Sequence, residues 1–208
     1  ANVTINISSM HGNQTQNLFG RGIEVNASVV LYLRFEEGTG QYANDSGQHG
    51  NNGTLGNTNA AASDDPVWNS STKFESFGLS FDGSNDFVSV PDSPTFTIGA
   101  GNFTLAMWIK TNIGGLQTFF WHGSNSTIQH YLRINANNLV RYQICLVDAA
   151  DVGEIESVSA VTNGSWYHIV YTRSYNDSSM YINGVWEVAK LNNYTYPDFT
   201  APLEIGRR

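Results

Sequence analysis

Glu154 and Glu156, two apart in GEIESVS, are the carboxylates best spaced for joint chemistry, because alternation along a strand puts both on one face. Hydrolysis of a glycosidic bond needs such a pair, about 5–5.5 Å apart for retention or about 6.5–9.5 Å for inversion. Glu36 and Glu37 fall in a turn, and Glu187 is isolated. His11, His49, His122, His130 and His168 show no metal-ligand spacing. A Gly-x-Ser-x-Gly elbow, a phosphate loop and a Cys–His pair are all missing from the sequence. These carboxylates read as solvated strand and turn residues, and the chain reads as a non-enzyme.

Oxygen donors in loops are a second chemical signal. Asp45, Gly47 and Asn51 in one loop, with Asp82, Asn85 and Asp86 in another, could supply oxygens to a structural Ca2+ ion, which takes six to eight. The same residue types also close Asx turns and accept positive φ.

The third signal is the acceptor Asn-X-Ser/Thr. It occurs twelve times, at Asn2, Asn6, Asn13, Asn26, Asn44, Asn52, Asn69, Asn102, Asn125, Asn163, Asn176 and Asn193. With 23 Asn in the chain, composition alone would give roughly four. Such an excess along the whole chain is that of an extracellular or cell-surface protein coated with N-linked glycans.

Composition narrows the partners. The 208 residues are 40 % hydrophobic and 13 % charged, with Lys+Arg 10 against Asp+Glu 18 and a net charge of -8. No nucleic-acid partner is expected, since phosphate tracking needs clustered cations. No apolar run approaches the roughly 18–20 residues of a membrane span. The N-terminal ANVTINISS has neither the basic nor the apolar region of a signal peptide. A single Cys145 excludes an internal disulfide, and its place in an apolar run over 142–147 reads as a buried small hydrophobe.

The elements that must position these residues are strands. Short β-branched and aromatic runs recur between Gly, Asn, Asp and Ser clusters, for example at 29–35, 78–82, 86–90, 103–110, 118–122, 131–135, 140–147, 166–173 and 180–183. Asn183-Gly184 marks a two-residue hairpin. FTLAMWIK carries large residues on both faces, as a central strand covered on two sides would. An all-β, two-sheet antiparallel sandwich or jelly roll follows for residues 23–208. Residues 1–9 differ: Val3, Ile5 and Ile7 alternate with Asn2, Thr4, Asn6 and Ser8, which makes a β-strand with one β-branched face. Residues 10–22 are polar and glycine-rich and read as a linker.

Several motifs in order resemble the laminin G-like jelly rolls of the concanavalin A-like lectin/glucanase superfamily. They are VVLYLRFEEGTG, DSGQHGNNGTL, GLSFDGSNDFVSVPDSPTF, NFTLAMWIKT, NGSWYHIVYTR, MYINGVWEV and PLEIGRR, together spanning about residues 28 to 208. The resemblance implies two packed antiparallel sheets with Phe81, Trp108 and Trp166 as core anchors. It also implies calcium in loops such as those of Asp45 and Asp82.

In that family a PLEIGRR-like segment is followed by a final strand that returns to a sheet, whereas this sequence stops at Arg208. The resemblance therefore implies an open slot, which is a template for strand addition. The N-terminal strand suits it, with Val3, Ile5 and Ile7 as inserted anchors. It could enter the next molecule, building a head-to-tail polymer of copies of this chain, or fold back into its own domain. The first geometry makes the chain a structural subunit of a glycosylated extracellular filament. The second leaves a lectin-like adhesion module, with Tyr42, Trp68, Trp121, Tyr142, Trp186 and Tyr194 as the aromatic side chains available to carbohydrate.

Overall fold

A computed structural model describes residues 4–10, 29–73, 76–111, 115–123, 128–146 and 152–207. The strands are β1 (Thr4–Met10), β2 (Leu31–Leu33), β3 (Tyr42–Ala43), β4 (Gly53–Leu55), β5 (Val67–Asn69), β6 (Gly78–Ser80), β7 (Val88–Val90) and β8 (Phe103–Lys110). There follow β9 (Gln117–Gly123), β10 (Ile128–Ile134), β11 (Leu139–Leu146), β12 (Val152–Ala160), β13 (Trp166–Ser174), β14 (Asp177–Ile182), β15 (Val185–Leu191) and β16 (Leu203–Ile205). A six-stranded sheet runs β15-β14-β13-β8-β1-β2, and an eight-stranded sheet runs β12-β11-β10-β9-β16-β7-β4-β3. β5 and β6 form a small separate pair. The architecture is an antiparallel jelly-roll sandwich.

The core lies between the two large sheets. Leu33, Met107, Ile109, Ile169 and Tyr171 contribute from one sheet, and Val88, Leu132, Ile134, Tyr142 and Ile205 from the other. Alternation decides which side chains reach it. In β8, Phe103, Leu105, Met107 and Ile109 are buried, while Thr104, Trp108 and Lys110 are only half-buried. The strand is therefore fully covered on one face and partly on the other, where Ala106 is buried as well. Phe81 is a core residue as expected, but Trp108 and Trp166 are not. Register explains this: Trp108 pairs with His168 and Trp166 with Lys110, so both tryptophans stand on the outer face of the six-stranded sheet.

The β14–β15 turn is the hairpin read from Asn183-Gly184. Both residues have positive φ, 52° and 79°, which a type I′ turn requires and which Asn and Gly tolerate. Beyond β15 the chain passes back across the core, burying Asn192, Tyr196 and Phe199, before β16 enters the eight-stranded sheet.

Candidate functional site

The first candidate is the place of β1. It pairs antiparallel with β8 over seven positions, from Thr4 opposite Lys110 to Met10 opposite Thr104. On its other side Ile7, Ser8 and Ser9 lie opposite Leu33, Tyr32 and Leu31. The register position of Ile5 is opposite Ile109, and that of Ile7 is opposite Met107 and Leu33, three buried core residues. Val3, the third expected anchor, lies outside the described residues. The strand runs one residue further than its alternation suggests, to Met10, and most of the expected linker lies outside the described residues. In this structure β1 occupies the sheet of its own chain, the fold-back geometry of the two open to it.

The second candidate is the outer face of the eight-stranded sheet. Register carries one row of side chains across it: Ser89, Glu204, Trp121, Tyr131 and Gln143. Trp121 Nε1 donates to Gln129 Oε1 at 2.6 Å, and the Tyr131 hydroxyl donates to Gln143 Oε1. Arg207 lies over the Trp121 ring, 5.2 Å from its centroid, and pairs with Glu204. Arg133 lies over the Tyr131 ring at 4.4 Å, with its Nε buried and unpaired among the described residues. Planar amides, a carboxylate, guanidinium groups and aromatic rings thus share one face of the sheet, the set that hydrogen-bonds and stacks on sugars, with Tyr131, Gln143 and Glu204 buried and Trp121 half-buried. Cys145 belongs here as well. It is half-buried with Sγ 3.2 Å from the Tyr131 hydroxyl, rather than packed in the core as its apolar neighbours suggest.

Glu154 and Glu156 do share a strand face, but both turn to one cation. Arg141 Nη2 is 2.6 Å from Glu156 and 3.6 Å from Glu154, and Asn135 Nδ2 also donates to Glu156. Glu187 accepts from the amides of Val158 and Ser159, capping part of the β12 backbone. Of the aromatic candidates, Tyr142 is buried in the core, Tyr194 and Trp68 are half-buried, and Tyr42 and Trp186 are exposed. Trp121 alone of the six joins the outward row.

The five expected calcium ligands are held in two hydrogen-bonded loops. Both Asp45 oxygens accept from backbone amides, those of Tyr32, Gly47 and Asn51, at 2.8–3.0 Å. Asn51 Nδ2 donates to the Val30 carbonyl and to Thr95 Oγ1. In the other loop Asp82 Oδ1 accepts from the amides of Ser84 and Asn85, Asp86 Oδ2 accepts from the Asp82 amide, and Asn85 Nδ2 donates to Ser63. Burial raises the Asp86 carboxyl above its usual range, and the nearby Asp82, Asp65 and Asp64 add to this, against the Asp82 amide that lowers it. Among the described residues no three His, Cys, Asp or Glu side chains group to hold a metal.

The sequons are spread around the molecule. Asn44, Asn52, Asn163, Asn176 and Asn193 are exposed, Asn69 and Asn102 are half-buried, and Asn6 is inside β1. Asn52, Asn69 and Asn102 each accept a backbone amide through Oδ1, not through the Nδ2 that a glycan joins. Asn2, Asn13, Asn26 and Asn125 lie outside the described residues.

Comparison with known proteins decides the family. The model of the concanavalin A-like lectin/glucanase superfamily, in its laminin G form, matches residues 82–208, more than half of the chain. The chain belongs to this superfamily. Domain 4 of an extracellular arabinanase from Geobacillus stearothermophilus, solved with arabinotriose, is similar over 78 % of this chain and 76 % of its own at 14 % identity, with a TM-score of 0.59. An S-layer domain-containing protein from Clostridium thermocellum is similar over 78 % of this chain and 72 % of its own at 24 % identity, with a TM-score of 0.49. A carbohydrate-binding module from Bacillus subtilis covers 69 % of this chain and 85 % of its own at 14 % identity, with a TM-score of 0.43. No curated protein matches. The superfamily's description spans lectins and glucanases, and the shared feature is the two-sheet scaffold. Among the described residues no helix is long and apolar enough to cross a membrane.

Proposed function

We propose that this protein is a structural subunit of a glycosylated extracellular filament or surface appendage, joined head to tail by insertion of β1 into the neighbouring sandwich. The observation that carries the reading is the position of β1. A strand from the very start of the chain completes the interior of a sheet, reached across the eighteen residues between Met10 and Val29. The ladders to β8 and β2 are the same whichever copy supplies the strand, so exchange changes connectivity without changing contacts. A connection of that length reaches up to about 60 Å, enough to span to a second molecule. The contact is heterologous, and without rotational closure it grows into an open filament. N-linked glycans at the exposed sequons would coat the outside, and no catalytic step is assigned. Deleting residues 1–10 and measuring particle size tests this: the truncated chain should be monomeric, and adding a synthetic peptide of residues 1–10 should restore its stability. Polymerisation of the truncated chain would sink the idea.

A second reading, carbohydrate binding by an adhesion module, is favoured by the Trp121–Tyr131 row. Family membership and the fold shared with an arabinotriose-bound domain support it. A glycan array with wild type and Trp121→Ala tests it. Binding that the substitution abolishes would support this reading, and an array blank for wild type would remove it.

A further inference from the structure

The turn between β13 and β14 carries a side chain that its backbone disfavours. Ser174 and Asp177 are the last pair of that hairpin, so Tyr175 and Asn176 are its two turn residues. Tyr175 has φ of 55°, in the left-handed region, where a side chain is crowded by its own backbone. Among the described residues three other non-glycines have positive φ: Phe35, Asn138 and Asn183. Burial in the core accounts for Phe35, and asparagine tolerates the conformation. Tyr175 has neither reason, being 76 % exposed. Its backbone is nevertheless held from both sides. The N–H donates to Asn102 Oδ1 at 2.6 Å, and the carbonyl accepts from Nε of the buried Arg173 at 3.2 Å.

We propose that Tyr175 is the docking ring for the first sugar of an N-linked glycan on Asn102. The proposal rests on the glycosylation in the reading above, and not on which copy supplies β1. Asn102 begins the sequon Asn102-Phe103-Thr104. Its bond to Tyr175 uses Oδ1 and leaves Nδ2, the atom a glycan joins, on the same carbon. A sugar on Nδ2 keeps that bond and starts beside the Tyr175 backbone. The C–H groups on a sugar face are drawn to the negative face of an aromatic ring, and a sugar lying on Tyr175 takes apolar ring surface out of water. That gain offsets the left-handed backbone, which a glycine would adopt without strain. The surroundings suit sugar better than a protein partner. Asn176 begins a second sequon in the turn itself, and the Asn192 amide donates to its carbonyl, which brings the exposed Asn193 of a third alongside.

The test uses the full chain made in a host that attaches N-linked glycans, with glycopeptide mass spectrometry at every sequon. Melting temperatures are compared for wild type, Tyr175→Gly, Thr104→Val and the double variant. Thr104→Val removes the sequon and keeps the Asn102 side chain that holds the turn. With the sugar present, Tyr175→Gly should lower Tm by about 2–4 °C, the shift of one ordinary contact in a domain of this size. In the Thr104→Val background the same change should leave Tm within about 1 °C or raise it, because strain is relieved and no sugar contact is lost. No loss in the glycosylated protein, equal losses in both backgrounds, or an Asn102 left bare while other sequons carry sugar would overturn the proposal. Bare asparagine at every sequon would remove the glycosylated reading with it. Should Thr104→Val not fold, nuclear Overhauser contacts between the Tyr175 ring and the first sugar on Asn102 of the wild-type protein decide it. Their presence supports the docking ring and their absence refutes it.

Discussion

His130 Nδ1 lies 2.8 Å from the Tyr142 hydroxyl, at the centre of a buried hydrogen-bond chain that crosses the sandwich. From Tyr142 the chain continues through the Tyr196 hydroxyl, Asn192 Nδ2 and the Tyr171 hydroxyl to Ser178 Oγ. On the other side His130 Nε2 meets His122 Nδ1 at 3.4 Å, and His122 Nε2 meets the Ala201 carbonyl at 3.1 Å. It ties the segment between β15 and β16 to both sheets.

Acid should weaken the sandwich here. Burial lowers His122 from 6.5 to about 4, against the raising effects of the Ala201 carbonyl, Asp92 and Asp198. Burial, with His122 beside it, lowers His130 well below 6.5. Tyr142, Tyr171 and Tyr196, which share the chain, are all raised by burial and stay neutral. Because both folded-state histidine values lie below the unfolded one, their contribution is complete above about pH 6.5 and lost as pH falls toward 4. For His122 the gap is worth about 3 kcal/mol. Urea unfolding at pH 7 and pH 4 should show that loss, reduced in His122→Phe. Equal stability at the two pH values would contradict it.

Asp45 should matter for stability independently of calcium. Its carboxylate accepts three backbone amides, and stranding them in Asp45→Ala should cost about 2 kcal/mol. Melting curves in calcium and in chelator should show the same loss. A loss seen only with calcium would assign the loop to an ion.

Gly206→Ala should be among the costlier single-methyl changes. Gly206 has φ of +84°, and an added Cβ would come within 2.3 Å of the Phe81 ring. With β16 seated between β9 and β7, the ring has to move, and a loss of about 2 kcal/mol or more is expected from combined strain and overpacking. Chemical denaturation measures it, and a change below about 0.5 kcal/mol would show that the ring yields freely.

Ile5→Asp should displace β1. Its register position faces Ile109 among core residues, where an unpaired carboxylate is costly. Electron micrographs of the variant should show no filaments, and amide exchange should be faster along β8 and β2. Filaments of normal length would contradict both.

Much of this was legible in the sequence, for physical reasons. The register positions of Ile5 and Ile7 are opposite the core residues Ile109, Met107 and Leu33, and Asn183-Gly184 names its turn because few residues accept positive φ twice. Trp108 and Trp166, core anchors by the resemblance, stand outward because strand parity sets direction. The His122–His130 contact was hidden because the two are eight residues apart and meet only through the β9–β10 register. The Glu204–Trp121–Tyr131–Gln143 row was hidden likewise, being assembled by the registers of the consecutive strands β9, β10 and β11 with the distant β16. The Asp45 and Asp82 loops look alike in composition, and only the hydrogen bonds show both Asp45 oxygens, but one oxygen each of Asp82 and Asp86, accepting from backbone amides.

Strand exchange itself is open to a covalent test. Ser8 and Ala106 are opposite one another in the β1–β8 register, within the Cα separation a disulfide spans. Ser8→Cys with Ala106→Cys, in a Cys145→Ser background, should be oxidised in the assembled material and run on a non-reducing gel. A ladder of covalent multimers is expected if β1 is donated between copies. A single band of cross-linked monomer would mean that each chain keeps its own strand.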